Sequence, residues 1–167
     1  NSGVYSDGIV HTYKIHSAYA GAKQTLGDIV LPDSDVENDY FVNAERLADW
    51  EYLKGAKTIE RTHKGSGSSY NYSEGKMAFP DLLTNPSRTI LTGFKLIIQT
   101  KDGRFRRLVP VELERLNGFP DNWTSTGMNG EAISDIKRAF FMGNALVVGL
   151  IERVGKILAE EIRDQQS

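Results

Sequence analysis

A chain of 167 residues, 40% hydrophobic and 10% aromatic, can bury a core as one domain with an appended element. It contains no cysteine, which excludes disulfides, thiolate metal sites and a cysteine nucleophile among these residues. The formal net charge of -2 hides a basic centre: residues 54–107 carry eleven Lys or Arg against four Asp or Glu, and the remainder carries nine against eighteen.

A basic middle between acidic ends is the pattern of a polyanion-facing surface on an acidic body; chance clustering of solvated charges accounts for the composition equally well. No apolar run reaches the length of a membrane span and no signal-peptide pattern opens the chain, so the expected compartment is the cytoplasm.

In chain order, the stretch to about Leu31 contains short alternating runs such as Ile9-Val10-His11-Thr12-Tyr13-Lys14-Ile15, which predict strand or extended chain. Leu31-Pro32-Asp33-Ser34-Asp35 is a turn-rich connector, and Asn43 is placed to cap a short helix from Ala44 to Leu53, with Leu47 and Trp50 on one face. From Lys54 to Pro80 the pattern dissolves into Gly, Ser, Tyr, Lys and Arg around Gly65-Ser66-Gly67-Ser68-Ser69, which predicts a long loop. Phe94–Thr100 and Phe105–Leu108 are expected strands flanking Lys101-Asp102-Gly103-Arg104, where Asp-Gly signals a hairpin.

Pro110 suits the first turn of a helix carrying Leu113 and Leu116, with Gly118 ending it. Phe119-Pro120-Asp121-Asn122-Trp123 reads as a turn, and a second short helix is expected from Ser134 to Met142. Val147, Leu150, Ile151, Val154, Ile157, Leu158 and Ile162 then fall at helical spacing over more than four turns, the stripe of a helix that belongs to a core. The expected fold class is α+β: a small, mainly β part over 1–108, then short helices and one long C-terminal helix over 109–167.

Four stretches, in order, resemble the C-terminal third of cytosine-5 DNA methyltransferases. Pro86-Ser87-Arg88-Thr89-Ile90 is similar to the family's ninth conserved block, and Arg107-Leu108-Val109-Pro110-Val111-Glu112 to the segment after it. Glu114-Arg115-Leu116-Asn117-Gly118-Phe119-Pro120-Asp121 resembles the arginine-to-glycine-aromatic-proline-aspartate turn, and Gly143-Asn144-Ala145-Leu146-Val147 the tenth block. The matches cover roughly residues 86–163; what precedes them corresponds to the family's variable target-recognition domain. Two departures stand out. Val109 occupies a position where a hydroxyl-bearing residue often caps the helix, and Phe140-Phe141 replace polar residues common before the glycine.

The resemblance implies an enzyme of a bacterial restriction-modification system that transfers a methyl group from S-adenosylmethionine to cytosine in double-stranded DNA. In that family a cysteine thiolate attacks ring carbon six of the flipped base, and a chain without cysteine is expected to be inactive alone. The catalytic part is expected from the rest of the gene product or another subunit, and the terminal helix is expected to pack on it, or otherwise to self-associate or fold back. A free-standing DNA-binding or regulatory module without activity is the second reading, and an unrelated module binding protein or RNA the third.

Residue by residue, the expected DNA contacts lie in 54–73. Lys54, Lys57, Arg61, His63 and Lys64 suit phosphates, and Arg61 also suits a bidentate contact to guanine. Thr58, with Ile59, matches the family's threonine-apolar pair at the target base. Thr62, Ser66, Ser68, Ser69, Tyr70, Tyr72 and Ser73 offer further hydroxyl and aromatic groups. The competing reading of this segment is a solvated mobile loop. Arg88 is expected mainly to buttress the recognition loops through backbone carbonyls, with a phosphate contact second. Gly143, Asn144 and Ala145 are the cofactor-binding residues the resemblance implies, while Asn144 read by itself is an N-cap of the long helix. No metal site is expected: His11 and His16 lie far from other ligand types. His63 also reads as an ordinary surface histidine, and Trp50 and Trp123 as packing residues.

Overall fold

The computed structural model describes residues 2–13 and 20–164, and the predicted strand through Lys14-Ile15 runs outside the described residues at its end. Among the described residues, six strands form three separate antiparallel pairs. They are β1 (Ser2–Ser6) with β2 (Ile9–Tyr13), β3 (Lys57–Thr62) with β4 (Ser69–Glu74), and β5 (Ile97–Gln99) with β6 (Phe105–Arg107). Four helices accompany them: α1 (Leu47–Lys54), α2 (Pro110–Asn117), α3 (Asp135–Asn144) and α4 (Val148–Asp164). This is the expected α+β class.

Local chemistry accounts for most of the boundaries. Asp7 and Gly8 both take positive φ, 52° and 80°, which a two-residue hairpin turn between β1 and β2 requires. Asn43 Oδ1 accepts from the Glu45 amide at 3.1 Å and opens a 3-10 turn that runs into α1, as the sequence predicts. The Asp102-Gly103 hairpin forms, with Gly103 at φ 88°, and its paired strands are shorter than expected. Pro110 opens α2 and Gly118, at φ 78°, closes it. Val109 has no side-chain acceptor for the first helical amides; its own amide donates to Glu112 Oε2 at 2.8 Å, so only the glutamate half of a capping box is present.

The principal correction concerns residues 54–80. The expected loop is largely a two-stranded ribbon, β3–β4, with Thr58, Ile59, Tyr70 and Tyr72 among its paired residues. β-branched and aromatic residues suit a pleated strand, and the Gly-Ser run supplies only the turn, where Gly67 has φ 68°.

The core draws on both sides of position 108. Leu26, Ile29, Leu96, Ile98, Leu108, Leu113, Ala139 and Met142 form one buried cluster, and Val36, Tyr40 and Val109 a second. Beside them Arg106 is completely buried. Its Nη1 and Nη2 donate to Glu112 Oε2 and Oε1 at 3.0 and 2.8 Å, and its Nε to Asp33 Oδ1 at 2.9 Å. Burial opposes the charge on Arg106, but hydrogen bonds and the field of Glu112 and Asp33 outweigh it and push its proton affinity up. Glu112 also accepts the Leu31 amide at 2.8 Å, so one ion pair joins β6, α2 and the connector at 31–33.

Two further expectations are corrected at the C-terminus. Asn144 does not cap the long helix: it is the last residue of α3, its Nδ2 donates to the Phe140 carbonyl at 2.8 Å, and α4 begins four residues later. Gly143, inside the last turn of α3, packs directly on the backbone of Leu91 and Thr92, where an added Cβ would lie 2.5 Å from three backbone atoms. Nor is the α4 stripe part of this core. Leu150, Ile157, Leu158 and Ile162 are 59%, 60%, 56% and 55% exposed, so α4 is amphipathic with its apolar face open rather than folded back on the body. Trp123, expected to pack, stacks on Phe119 with ring centroids 6.2 Å apart while remaining exposed.

Two outcomes follow from the buried pair and the open stripe. Glu112→Ala leaves the Arg106 charge, the Leu31 amide and the Val109 amide without their acceptor, and should lower stability in urea unfolding by roughly 3–5 kcal/mol. Each large apolar side chain left wet forgoes roughly 1.5–3 kcal/mol of burial. The chain alone should therefore sediment as concentration-dependent oligomers, and Leu150→Lys with Ile157→Lys should return it to monomer.

Candidate nucleic-acid interface

Strand alternation sorts the β3–β4 ribbon into two chemically distinct faces. In the register Lys57↔Glu74, Ile59↔Tyr72 and Arg61↔Tyr70, one face carries Lys57, Ile59, Arg61, Tyr70, Tyr72 and Glu74. The other carries Thr58, Glu60, Thr62, Ser69, Asn71 and Ser73, with Thr58 and Ser73 hydroxyls 3.2 Å apart. Every residue from 60 to 73 is exposed, so the ribbon stands clear of the body. The Arg61 guanidinium lies over the Tyr72 ring, 3.9 Å from its centroid.

His63 is more than a surface histidine. Its Nδ1 accepts from the Gly65 and Ser66 amides, each at 3.3 Å, and its backbone bonds Ser68 and Gly67 across the turn at 2.9 Å. Ser66 and Ser68 hydroxyls meet at 2.7 Å, and Lys64 projects from the same exposed turn.

The base of the ribbon is clamped to the core by charges turned inward. Lys54 was expected at a phosphate; it is instead only 2% exposed, and its Nζ donates to the Lys95 carbonyl. Arg88 Nη2 donates to the same carbonyl at 2.5 Å, while its Nε pairs with Asp81 Oδ1 at 2.7 Å. Asp81 Oδ2 in turn accepts the Ile97 amide at 2.9 Å, and the Met77 amide reaches the Lys54 carbonyl at 2.8 Å to close the ribbon's base. Lys57 Nζ donates to the Leu53 carbonyl at 3.0 Å and lies 5.5 Å from the Tyr52 ring. Desolvation, then the nearby Arg88 and Lys95 charges, lower the Lys54 pKa to about 8, with Asp81 opposing them.

The basic centre of the sequence is therefore divided between structural and open roles. Lys54 and Arg106 are buried, Arg88 is paired, Arg104 lies 4.0 Å over Phe41, and Arg107 donates to the Asp39 carbonyl. Arg61 and Lys64 remain presented on the ribbon.

A separate cavity of about 360 Å³ opens between residues 87–90 and 142–147. Gly143 and Ala145 line it together with Ser87, Arg88, Thr89, Ile90, Leu116, Asn117, Met142 and Val147. Asn144 does not; it points to solvent. Ser87 Oγ donates to the Arg88 carbonyl at 2.8 Å and Asn117 Nδ2 to the Met142 carbonyl at 2.9 Å, so much of the polar lining is already bonded within the protein.

Residue spacing alone missed the pairing that brings Tyr72 under Arg61 and places Glu60 and Asn71 on the opposite face. The period-two run Lys57-Thr58-Ile59-Glu60-Arg61-Thr62 was the available signal.

A small α+β body carries an exposed two-stranded β-ribbon on which Arg61 and Lys64 are presented. The C-5 cytosine-specific DNA methylase family matches residues 9–160, and the chain belongs to that family. It is 41% identical over 160 residues to the type II methyltransferase M.Sau3AI of Staphylococcus aureus, a match covering 93% of this chain and 36% of that protein. The chain thus spans little more than a third of the length of this curated relative.

The clamp carries its own test. The unfolded chain keeps the ordinary Lys54 value of 10.5, so above about pH 8 the unfolded state retains a proton that the folded state releases. Stability should accordingly rise with pH between about 8 and 9.5, read as an increasing urea midpoint. Lys54→Met should flatten that rise.

Proposed function

We propose that this chain is the DNA-recognition and C-terminal part of an S-adenosylmethionine-dependent DNA (cytosine-5-)-methyltransferase of a restriction-modification system. Residues 1–108 serve target recognition and 109–167 attach it to the catalytic part, a division of roles across a shared core. The observation that carries this reading is the free β3–β4 ribbon with Arg61 and Lys64 presented on it, in a chain of the cytosine-5 methylase family.

On this reading the ribbon enters the major groove of duplex DNA. Lys57 and Lys64 neutralise phosphates, the turn around His63 brings Ser66 and Ser68 with its backbone amides to the sugar-phosphate chain, and Thr58, Thr62, Ser69, Tyr70, Tyr72 and Ser73 supply further contacts. Arg88 acts behind the ribbon, through Asp81 and the Lys95 carbonyl. Methyl transfer at cytosine carbon five needs a thiolate, and with no cysteine here the nucleophile belongs to the rest of the protein.

S-adenosylmethionine supplies the methyl group when bound. The cavity beside Gly143 and Ala145, with Thr89 among its lining residues, fits one wall of its site. Asn144 turns away, and with most neighbouring polar groups already bonded the chain alone binds the cofactor weakly. The open α4 face, in the same protein, is covered by the catalytic part.

Fluorescence anisotropy with duplex DNA tests the reading. Affinity should fall steeply with salt, Lys64→Ala should reduce the magnitude of the salt slope by about one, and Arg61→Ala should weaken binding. Asn144→Ala should leave it unchanged. Equal losses from all three, or no preference for duplex DNA at low salt, would overturn it.

A further inference from the structure

Resting on the reading of β3–β4 as a DNA-facing ribbon, we infer that its Arg61 face is the one turned to the base edges, where Arg61 reads a guanine, and that Tyr72 is the positioning residue that holds this reader in place. Arg61 pairs across the ribbon with Tyr70 and leans over the diagonal Tyr72 ring at 3.9 Å. Among the described residues its guanidinium has no carboxylate or carbonyl partner, in contrast to Arg88, Arg104, Arg106, Arg107 and Arg115. Stacking on an aromatic face occupies the flat side of a guanidinium and leaves its in-plane N–H fork open. Guanine presents N7 and O6 as two coplanar acceptors in the major groove, the pair that such a fork matches.

Charge selects between the two faces. The opposite face carries Glu60, an acceptor-only anion that phosphates repel, among Thr58, Thr62, Ser69 and Asn71. The Arg61 face pairs Lys57 with Glu74 at the ribbon's base, which leaves Arg61 as its uncompensated charge and the face net cationic. A ribbon entering a polyanionic groove therefore turns Arg61 inward. A free arginine samples many rotamers, and one already stacked on Tyr72 loses less freedom on binding. Only the ring of Tyr72 is needed, not its hydroxyl.

The experiment starts from duplexes that the chain selects out of a randomised library at equilibrium. Each guanine is then replaced by 7-deazaguanine, which keeps Watson–Crick pairing and lacks the N7 acceptor. At one guanine the wild type should lose about fivefold or more in affinity. Arg61→Ala should bind weakly and be indifferent to the analogue there. Tyr72→Ala should lose most of the same discrimination with the salt slope unchanged, and Tyr72→Phe should restore it. The inference is overturned if Arg61→Ala keeps the wild-type sensitivity, if Tyr72→Phe is as poor as Tyr72→Ala, or if Asn71→Ala rather than Arg61→Ala abolishes the base preference. A wild-type chain that selects no duplex overturns the DNA-facing reading and this inference with it; selection without an Arg61-dependent guanine overturns this inference alone.

Discussion

The buried contact between Arg106 and Glu112 is the constraint on which the body of this protein depends. Both side chains are fully buried, and together they engage Asp33, the Leu31 amide and the Val109 amide as well as each other. A charge out of water is tolerated only when it is paired and its remaining hydrogen-bonding capacity is used. Here that requirement forces three segments distant in sequence into one geometry: the connector at 31–33, strand β6 and the start of α2. Glu112 also accepts the Val109 amide, the half of a capping box that an N3 glutamate supplies, so the start of helix α2 is tied to the ion pair.

A second cluster of inward charges shapes the functional side of the molecule. Lys54, Arg88 and Asp81 converge on the Lys95 carbonyl and the Ile97 amide, and so tie the foot of the β3–β4 ribbon to the strand that enters the core. Two cations sharing one carbonyl form a stiff joint, with Asp81 offsetting their repulsion. Above this joint cross-strand pairs and the His63 turn hold the ribbon, with Lys57 reaching back to the Leu53 carbonyl at its foot. A fixed base under an open tip is what the proposed reading role requires, since the scaffold must place the contacts while the surface stays open.

The C-terminal end has the opposite character. α3 carries exposed Ile136, Phe140 and Phe141, and α4 exposes its whole apolar stripe, so the two helices present wet hydrophobic surface on an otherwise well-packed body. Phe140 and Phe141, which depart from the polar residues common at these positions, add to that surface.

The sequence by itself determined the elements whose causes are local. The Asp102-Gly103 hairpin, Asn43 at the start of α1, Pro110 and Gly118 bounding α2, and the long amphipathic helix all follow from turn chemistry, capping and periodicity. The four family-like stretches were legible for the same reason, as short runs in a fixed order. Asp7-Gly8 carried an equally plain hairpin signal for β1–β2, legible yet passed over. Only the tertiary structure decided which cations face inward and which remain open. Lys54 and Lys64 are the same residue type in the same basic run, yet one is buried beneath a carbonyl and the other projects from a turn. It likewise decided that Gly143 packs on the Leu91–Thr92 backbone, that α3 ends at Asn144, that Tyr72 lies under Arg61, and that the α4 stripe stays uncovered. Each of these depends on what comes near in space from elsewhere in the chain, and charge count and periodicity along the chain carry no information about that.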